Sequence, residues 1–475
     1  RLLARQGVRV APFKAQNMSN HAAVTPDGGE VGRAQAMQAL AAGAPLDRRM
    51  NPILLKPHSD LGSHLVVLGD EVSTTDAVGY GPTTRTLRPV VLDALTSLRR
   101  DYDWVVAEGA GGAAEINLLD RDLVNLPLAA AAGMPAILVV DIEPGGAFAM
   151  AHGTIDLLPE RLRSTVAGVI FNKFRGDPSL LDDGIDQLEE RNGVPVLGVL
   201  PYLTDHLALG VEDSLDIHTG PAPAGRSANP IRVAAIRLPH LANPSDLDPF
   251  LAEPDVEVRW VTGPSELAAA DLVVVPGSRA TVADLGWLRA RGLDQALART
   301  DAWIVGICAG FQMLGRQIDD PVESGAGLVD GLGLLDTTTT FTEPKVVRQS
   351  VGIVRTTDGG ASAVAGYQIR FGRPDCGTEP WFDLDGEPEG AVAAGGAIRA
   401  TSLHGLFDAD DFRTGFLQAL AEARARDYAP APLGFADELE RYHDRLADWV
   451  DATIDPARMA SIAATASPVD ATPGW

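Results

Sequence analysis

Two periodicities divide this chain. Short apolar runs at residues 8–13, 64–68, 104–107, 136–141, 166–172 and 195–200 have the length and density of buried strands. Between several of them apolar residues recur every three to four positions, as at 32–42 and 87–100, which predicts helices. Such alternation predicts an α/β fold on mostly parallel sheets covered on both faces. It stops at the proline-rich stretch TGPAPAGRSANP, 219–230, and restarts with apolar runs at 231–238, 256–261, 271–275 and 303–307. Helical spacing returns at 410–424 and 436–453. The pattern therefore predicts an α/β domain at 1–218, a linker at 219–230, a second α/β domain at 231–466 and a flexible tail at 467–475.

Charge narrows the partners. Among 475 residues the net charge is −25. This argues against nucleic acid or an anionic membrane as a main partner, because phosphate backbones select basic faces. Nucleotide binding stays open, since a few backbone amides and one Lys suffice for it. No apolar run approaches the ~20 residues of a membrane span. The two cysteines, Cys308 and Cys376, fit a reducing compartment, and a cytoplasmic location is expected.

The clearest chemical signal is WIVGICAGFQMLG, 303–315. A strand ends at Ile307, Cys308 follows, and a helix begins at once, in the form G-x-C-x-G. Small residues at 306 and 310 permit the sharp turn, and the turn exposes a nucleophile beside backbone N–H groups. The amide of Ala309 is one oxyanion donor. Gly277 and Ser278, where another strand meets a helix, are candidates for a second, and Gln312 lies on the same helix as Ala309. A base is required, and His404 in ATSLHGLFDADDF has the most constrained setting of the nine histidines. His58, His64, His206, His218 and His443 read as surface or loop residues, and His240 is open.

These residues carry a resemblance. The second half resembles the class I glutamine amidotransferases, which release ammonia from glutamine through a cysteine thioester. Their usual His-Pro-Glu is His404-Gly405-Leu406 here, so the group that orients the imidazole is absent or comes from elsewhere. In the first half, PFKAQNMSN, AEGAGGAAEINL, VVDIEPGGAFA and FNKFRGD each end a predicted strand, where open parallel sheets bind ligands. Lys14 can offset a phosphate, Glu108, Glu115 and Asp141 offer carboxylates to Mg²⁺, and glycines 109, 111, 112, 145 and 146 let a polyanion approach the backbone.

Together with GRAQAMQA, MNPILLKP, RLPHLANPSDLD and PGSRATVADL, these stretches make nearly the whole chain similar to the cobyric acid synthase family. The resemblance implies a P-loop-type, dethiobiotin synthetase-like parallel sheet domain followed by the amidotransferase domain. It implies glutamine- and ATP-dependent amidation of the b, d, e and g carboxylates of adenosylcobyrinic a,c-diamide in cobalamin biosynthesis. Lys14, Gly109, Gly111 and Asn172 would then meet ATP, and Glu108 would bind Mg²⁺. Cobyrinic acid a,c-diamide synthase, an amidating enzyme of cell-wall precursors and a non-catalytic relative are the alternatives. The chain departs from the family at Gln368 and Arg370 in GYQIRFG, at Pro144, and in SDLGSH at 59–64. These positions bear on glutamine handling and corrinoid binding.

The family begins with a strand and a phosphate-binding loop, then a helix that the opening RLLARQGVRV would finish. No G-x-x-x-x-G-K-[ST] occurs here. The resemblance thus implies a sequence shortened at its N-terminus, with little ATP-dependent activity of its own. A natural relative without the loop is the other reading. In either case ammonia must travel from Cys308 to an activated carboxylate, which calls for a packed interface between the halves.

Overall fold

The computed structural model describes residues 1–57, 62–203, 227–355, 361–377 and 379–467. Most of the expected linker, the tail beyond Ser467, and His58, His206 and His218 lie outside them.

In the first half, Val10–Phe13 pairs in parallel with Trp104–Ala107, Val10 opposite Trp104 and Phe13 opposite Ala107. Ala136–Asp141, Val166–Phe174 and Val196–Pro201 make a second parallel sheet with Val166–Phe174 at its centre. The parallel order expected from the sequence is present, but as two separate pieces. The facing edges, Trp104–Ala107 and Ala136–Asp141, border a cavity of about 850 Å³ that the helix Pro456–Ala463 also lines. Val106 and Val139 on these edges are 53% and 57% exposed, where a strand inside a parallel sheet is normally covered. Inserted after Val10–Phe13 is a mainly antiparallel sheet of Gln16–Met18, Ile53–Pro57, Gly62–Val67 and Asp70–Asp76. A small hairpin, Ala22–Val24 with Glu30–Gly32, leads directly into the helix Arg33–Ala42.

The second half is built on a six-stranded sheet in the order Val256–Val261, Ile231–Ile236, Leu272–Val275, Trp303–Ile307, Ile398–Thr401, Ala391–Ala393. Only the last strand is antiparallel. Its central strands are apolar throughout because helices and loops cover both faces, with Val233, Leu272, Val274, Val305 and Ile307 in one core cluster. A long antiparallel pair, Thr337–Arg355 with Ala361–Cys376, rises beside this sheet and was not anticipated.

The last helices divide their allegiance. Asp410–Arg424 buries Phe412, Phe416, Leu417 and Leu420 in the second half. Phe435–Asp451 instead reaches back, with Phe435 and Leu439 against Met37, and Arg1 paired with Glu440 and Asp444 at 2.6 and 2.7 Å. His443, expected at the surface, is buried on this helix. It continues the apolar stripe of Phe435 and Leu439 at four-residue spacing. His64 lies in a strand rather than a loop, its Nδ1 2.7 Å from Glu71.

Candidate active site

Cys308 sits between the strand Trp303–Ile307 and the helix Ala309–Leu314 with φ 53° and ψ −106°, a conformation that a non-glycine residue holds only under constraint. The constraint is visible. The Cys308 amide donates to the Thr401 carbonyl at 2.8 Å, and a Cβ at Gly310 would stand 1.8 Å from the Val275 carbonyl oxygen. The helix can follow the cysteine this closely only because residue 310 has no side chain. The buried sulfur lies 3.7 Å from the Ile369 carbonyl oxygen.

His404 is brought to this sulfur from the end of Ile398–Thr401, and the two side chains are within hydrogen-bonding reach. The ring is buried and stacks on Tyr367, centroids 5.2 Å apart and planes 21° apart. Backbone bonds between the same two residues, 2.9 and 3.1 Å, lock the stack. The orienting group absent from His404-Gly405-Leu406 is Asp246. One of its oxygens lies 2.8 Å from His404 Nδ1, and the other accepts the Gly405 amide at 2.9 Å. That contact fixes the ring with Nε2 toward Cys308. Burial disfavours a charged imidazole, but Asp246 first and Cys308 second outweigh it and hold the His404 pKa up at about 10. Sequence reasoning missed Asp246, although it lies in the quoted stretch RLPHLANPSDLD, in a short turn just after a strand.

The other expected pocket residues surround this pair. A Cβ at Gly277 would be 3.2 Å from His404 Cε1. Gly277 and Ser278 form a two-residue strand against Leu241–Ala242, and the Ser278 hydroxyl donates to Asp284 at 2.6 Å. Ala309 begins the helix. Gln312, also buried, donates its amide to the Cys308 carbonyl at 3.2 Å, and its side-chain oxygen is 3.4 Å from Thr281 Oγ1. His240 is held by Asp284 at 2.8 Å. Two of the departures from the family, Gln368 and Arg370, lie on the strand beside the thiol. Gln368 donates to Ser350 Oγ at 3.0 Å, and Arg370 bonds Gln368 and the Gly372 carbonyl. A further feature had no warning in the sequence. Lys56 pairs with Glu30, and Glu30 with Lys345 of the second half at 2.9 Å. Lys345 also meets Glu71 at 3.0 Å, so the chain of charges crosses the interface.

In the first half the expected nucleotide residues fall into two groups. Lys14 Nζ is 3.0 Å from Glu108 Oε1, and Gln38 donates to the other Glu108 oxygen at 2.7 Å. Gly109 and Gly111 follow on the same loop, which Asn125 clasps through the amide and carbonyl of Ala110. Gly111 has φ 67° with open space above it, so a ligand can approach its backbone. Asn172 is elsewhere, on the three-stranded sheet opposite Asp141, and its side chain accepts the Lys173 amide. Asp141 is paired with Lys173 at 2.7 Å. Among the described residues no group of three or more His, Cys, Asp or Glu could hold a metal. A Mg²⁺ ion here would have Glu108 as its protein ligand and take the rest from phosphates and water, a habit of Mg²⁺ that suits this site. No described helix is long and apolar enough to cross a membrane.

Comparison with known proteins covers both halves. Residues 1–213 match the CobQ/CobB/MinD/ParA nucleotide binding domain, and residues 232–412 match the CobB/CobQ-like glutamine amidotransferase domain. The chain is 48% identical over 463 residues to a cobyric acid synthase of Mycolicibacterium paratuberculosis, covering 96% of this chain and 90% of that protein. It is 46% identical over 496 residues to one of Frankia casuarinae, covering 98% and 93%. Against one of Nocardia farcinica it is 46% identical over 492 residues, covering 98% and 93%.

Proposed function

The chain belongs to the cobyric acid synthase family, and on that premise we propose a division of labour between its halves. It is an amidotransferase of cobalamin biosynthesis, with a glutaminase half that supplies ammonia and a nucleotide-binding half that forms the amide.

The glutaminase reading rests on one observation, the Cys308–His404–Asp246 arrangement. Cys308 attacks the side-chain carbonyl carbon of glutamine and forms a C–S bond. The tetrahedral oxyanion meets backbone amides, that of Ala309 first and one from Gly277–Ser278 second. The imidazolium of His404 gives its proton to the departing nitrogen as the C–N bond breaks, and ammonia leaves. His404 then takes a proton from water, the water opens the thioester, and glutamate and the thiol are regenerated. Asp246 keeps the ring aimed throughout. Gln312 lies where it can read the rest of the glutamine.

In the other half, Lys14, Gly109 and Gly111 border the phosphates of ATP, and Asn172 reads the base from the neighbouring sheet. Glu108 would hold Mg²⁺, which when bound offsets charge on the transferring phosphoryl group. Lys14 and Gln38 keep the Glu108 carboxylate in place for it. Phosphorylation gives a corrinoid carboxylate a leaving group, and ammonia displaces it. The b, d, e and g carboxylates of adenosylcobyrinic a,c-diamide are the proposed acceptors.

The test compares nitrogen sources. In the full-length enzyme, Cys308→Ala should abolish glutamine hydrolysis and glutamine-fed amidation while amidation fed by a high concentration of free ammonia persists. Equal loss with both donors would reject the assignment of Cys308 to ammonia release. A panel of corrinoid acids then decides the acceptor.

A further inference from the structure

The turn that carries Asp246 is governed by Asn243. The strand Leu241–Ala242 ends there, and Asn243 takes φ 50° and ψ 54°, a left-handed conformation that Asn adopts more readily than most residues. Its carbonyl accepts the Asp246 amide at 3.2 Å, so the bend at 243 directs the Asp246 carboxylate toward His404. On its other side, Ala242 pairs with Gly277, in the segment proposed to meet the oxyanion. A Cβ at Gly277 would stand 3.2 Å from both the Ala242 carbonyl oxygen and His404 Cε1, so Gly277 fits closely between them. The orienting carboxylate and the oxyanion segment therefore hang on one buried residue.

What holds the Asn243 side chain comes from the other half of the chain. An Asn that opens a helical turn ordinarily accepts an amide of that same turn, and Asn243 does not. Its Oδ1 accepts instead the amide of Ala22, 221 residues away, at 2.9 Å. Ala22 belongs to the small hairpin of the nucleotide-binding half. It lies opposite Gly32, and the adjacent bond runs from the Arg33 amide to the His21 carbonyl, so the Ala22 amide points out of the hairpin. Further contacts seat the hairpin. Ala22 and Val24 pack on Tyr367 and Ile369, Gln349 donates to the Val24 carbonyl at 2.9 Å, and Glu30 meets Lys345 at 2.9 Å.

We propose that Asn243 is a positioning residue of the glutaminase, anchored by the Ala22 amide of the nucleotide-binding half. Its side chain passes the seating of the hairpin to Asp246 on one side and to Gly277 on the other. Glutamine is then hydrolysed at full rate only while the hairpin is docked. This rests on the reading of Cys308 and His404 as the glutaminase pair.

The experiment uses the full-length enzyme with Asn243→Gly, which keeps the left-handed turn without the accepting oxygen, and Asn243→Asp, which keeps both. A third variant, Ala22→Pro, removes the donating amide. Steady-state glutamine hydrolysis is measured, with melting curves in parallel. Asn243→Gly should lower kcat about tenfold and leave KM for glutamine within about twofold, because the orienting carboxylate and the oxyanion segment act on the transition state more than on bound glutamine. Asn243→Asp should restore most of the rate. Ala22→Pro should give a loss of similar size. The double variant of Ala22→Pro and Asn243→Gly should match either single one within about twofold, since one bond serves both.

A folded Asn243→Gly protein with kcat within about twofold of the parent overturns the proposal. So does an Asn243→Asp protein as slow as Asn243→Gly, because the accepting oxygen would then not be what matters. Losses that multiply in the double variant also count against it, since independent sites behave that way. If Ala22→Pro fails to fold, the two Asn243 variants decide. If Asn243→Gly fails to fold, Ala22→Pro decides by the same split of kcat and KM. Cys308→Ala runs beside them. Residual hydrolysis there would undo the glutaminase reading itself, whereas a dead Cys308→Ala with indifferent Asn243 variants would undo only the role of Asn243.

Discussion

Asp246 and His404 stand 158 residues apart in the chain and 2.8 Å apart in the fold. The carboxylate comes from a turn at one side of the six-stranded sheet and the imidazole from a strand end near the other. In the proposed mechanism Asp246 therefore takes the part of the residue that usually follows the histidine. Geometry and role define such a triad, and sequence position does not.

Asp246→Asn should leave the shape of the site intact and remove the charge that holds His404. Glutaminase kcat is expected to fall by about 10²-fold or more, the usual scale for disabling a general base, with KM for glutamine little changed. Ammonia release under saturating glutamine measures it. A loss smaller than threefold would send the search for the orienting group elsewhere.

Gly310→Ala and Gly286→Ala make a matched pair. At 310 the new methyl would meet backbone on the Val275 strand, whereas at 286 nothing lies within 4 Å. The first should cut glutaminase activity more than tenfold and lower Tm by roughly 5 °C, because the turn carrying Cys308 must shift. The second should be neutral or stabilising, as Ala is the better helix former. Calorimetry and ammonia release decide both.

His404 makes stability depend on pH in a definite sense. Its pKa is about 10 in the fold against an ordinary 6.5. The folded state binds the proton more tightly, so the contribution is whole below about 6.5 and fades as pH rises toward 10. Melting temperatures of the parent should fall across that window more steeply than those of Asp246→Asn, in which the main source of the raised value is gone. Parallel curves for the two proteins would contradict this.

In the full-length enzyme, Glu108→Gln should weaken Mg²⁺-dependent ATP binding roughly tenfold and change binding without Mg²⁺ much less, since the amide oxygen can still accept from Lys14 but lacks the charge that holds the ion. Titration calorimetry with and without Mg²⁺ separates the two. Glutamine hydrolysis by the same variant should equal that of the parent.

How much of this was legible depended on how local the cause is. The strands Ala136–Asp141, Val256–Val261 and Trp303–Ile307 and the helix Asp410–Arg424 match their sequence patterns end to end, because burial imposes those patterns residue by residue. The Cys308 turn was legible for the same reason, with the nucleophile and its small neighbours side by side. Asp246 was not, because nothing near it in sequence shows that His404 will arrive beside it. The long pair Thr337–Arg355 and Ala361–Cys376 escaped because one of its faces meets water. Val351 and Ile353 are 65% and 54% exposed there, so apolar residues no longer mark the interior. His443 misled in the opposite direction, a polar letter on a buried stripe.

The groove between the two parallel sheet pieces of the first half also governs how the protein behaves in a tube. Among the described residues, the facing edges of Trp104–Ala107 and Ala136–Asp141 have no strand partner, and such edges are adhesive toward any other extended chain. What keeps molecules apart is the net charge of −25, a long-range repulsion. Salt shortens that repulsion, to about 8 Å at physiological strength, and leaves the short-range stickiness untouched. Light scattering should therefore show self-association that grows with added salt, the reverse of what surface ion pairs would give. Concentrated stocks should keep best in dilute buffer.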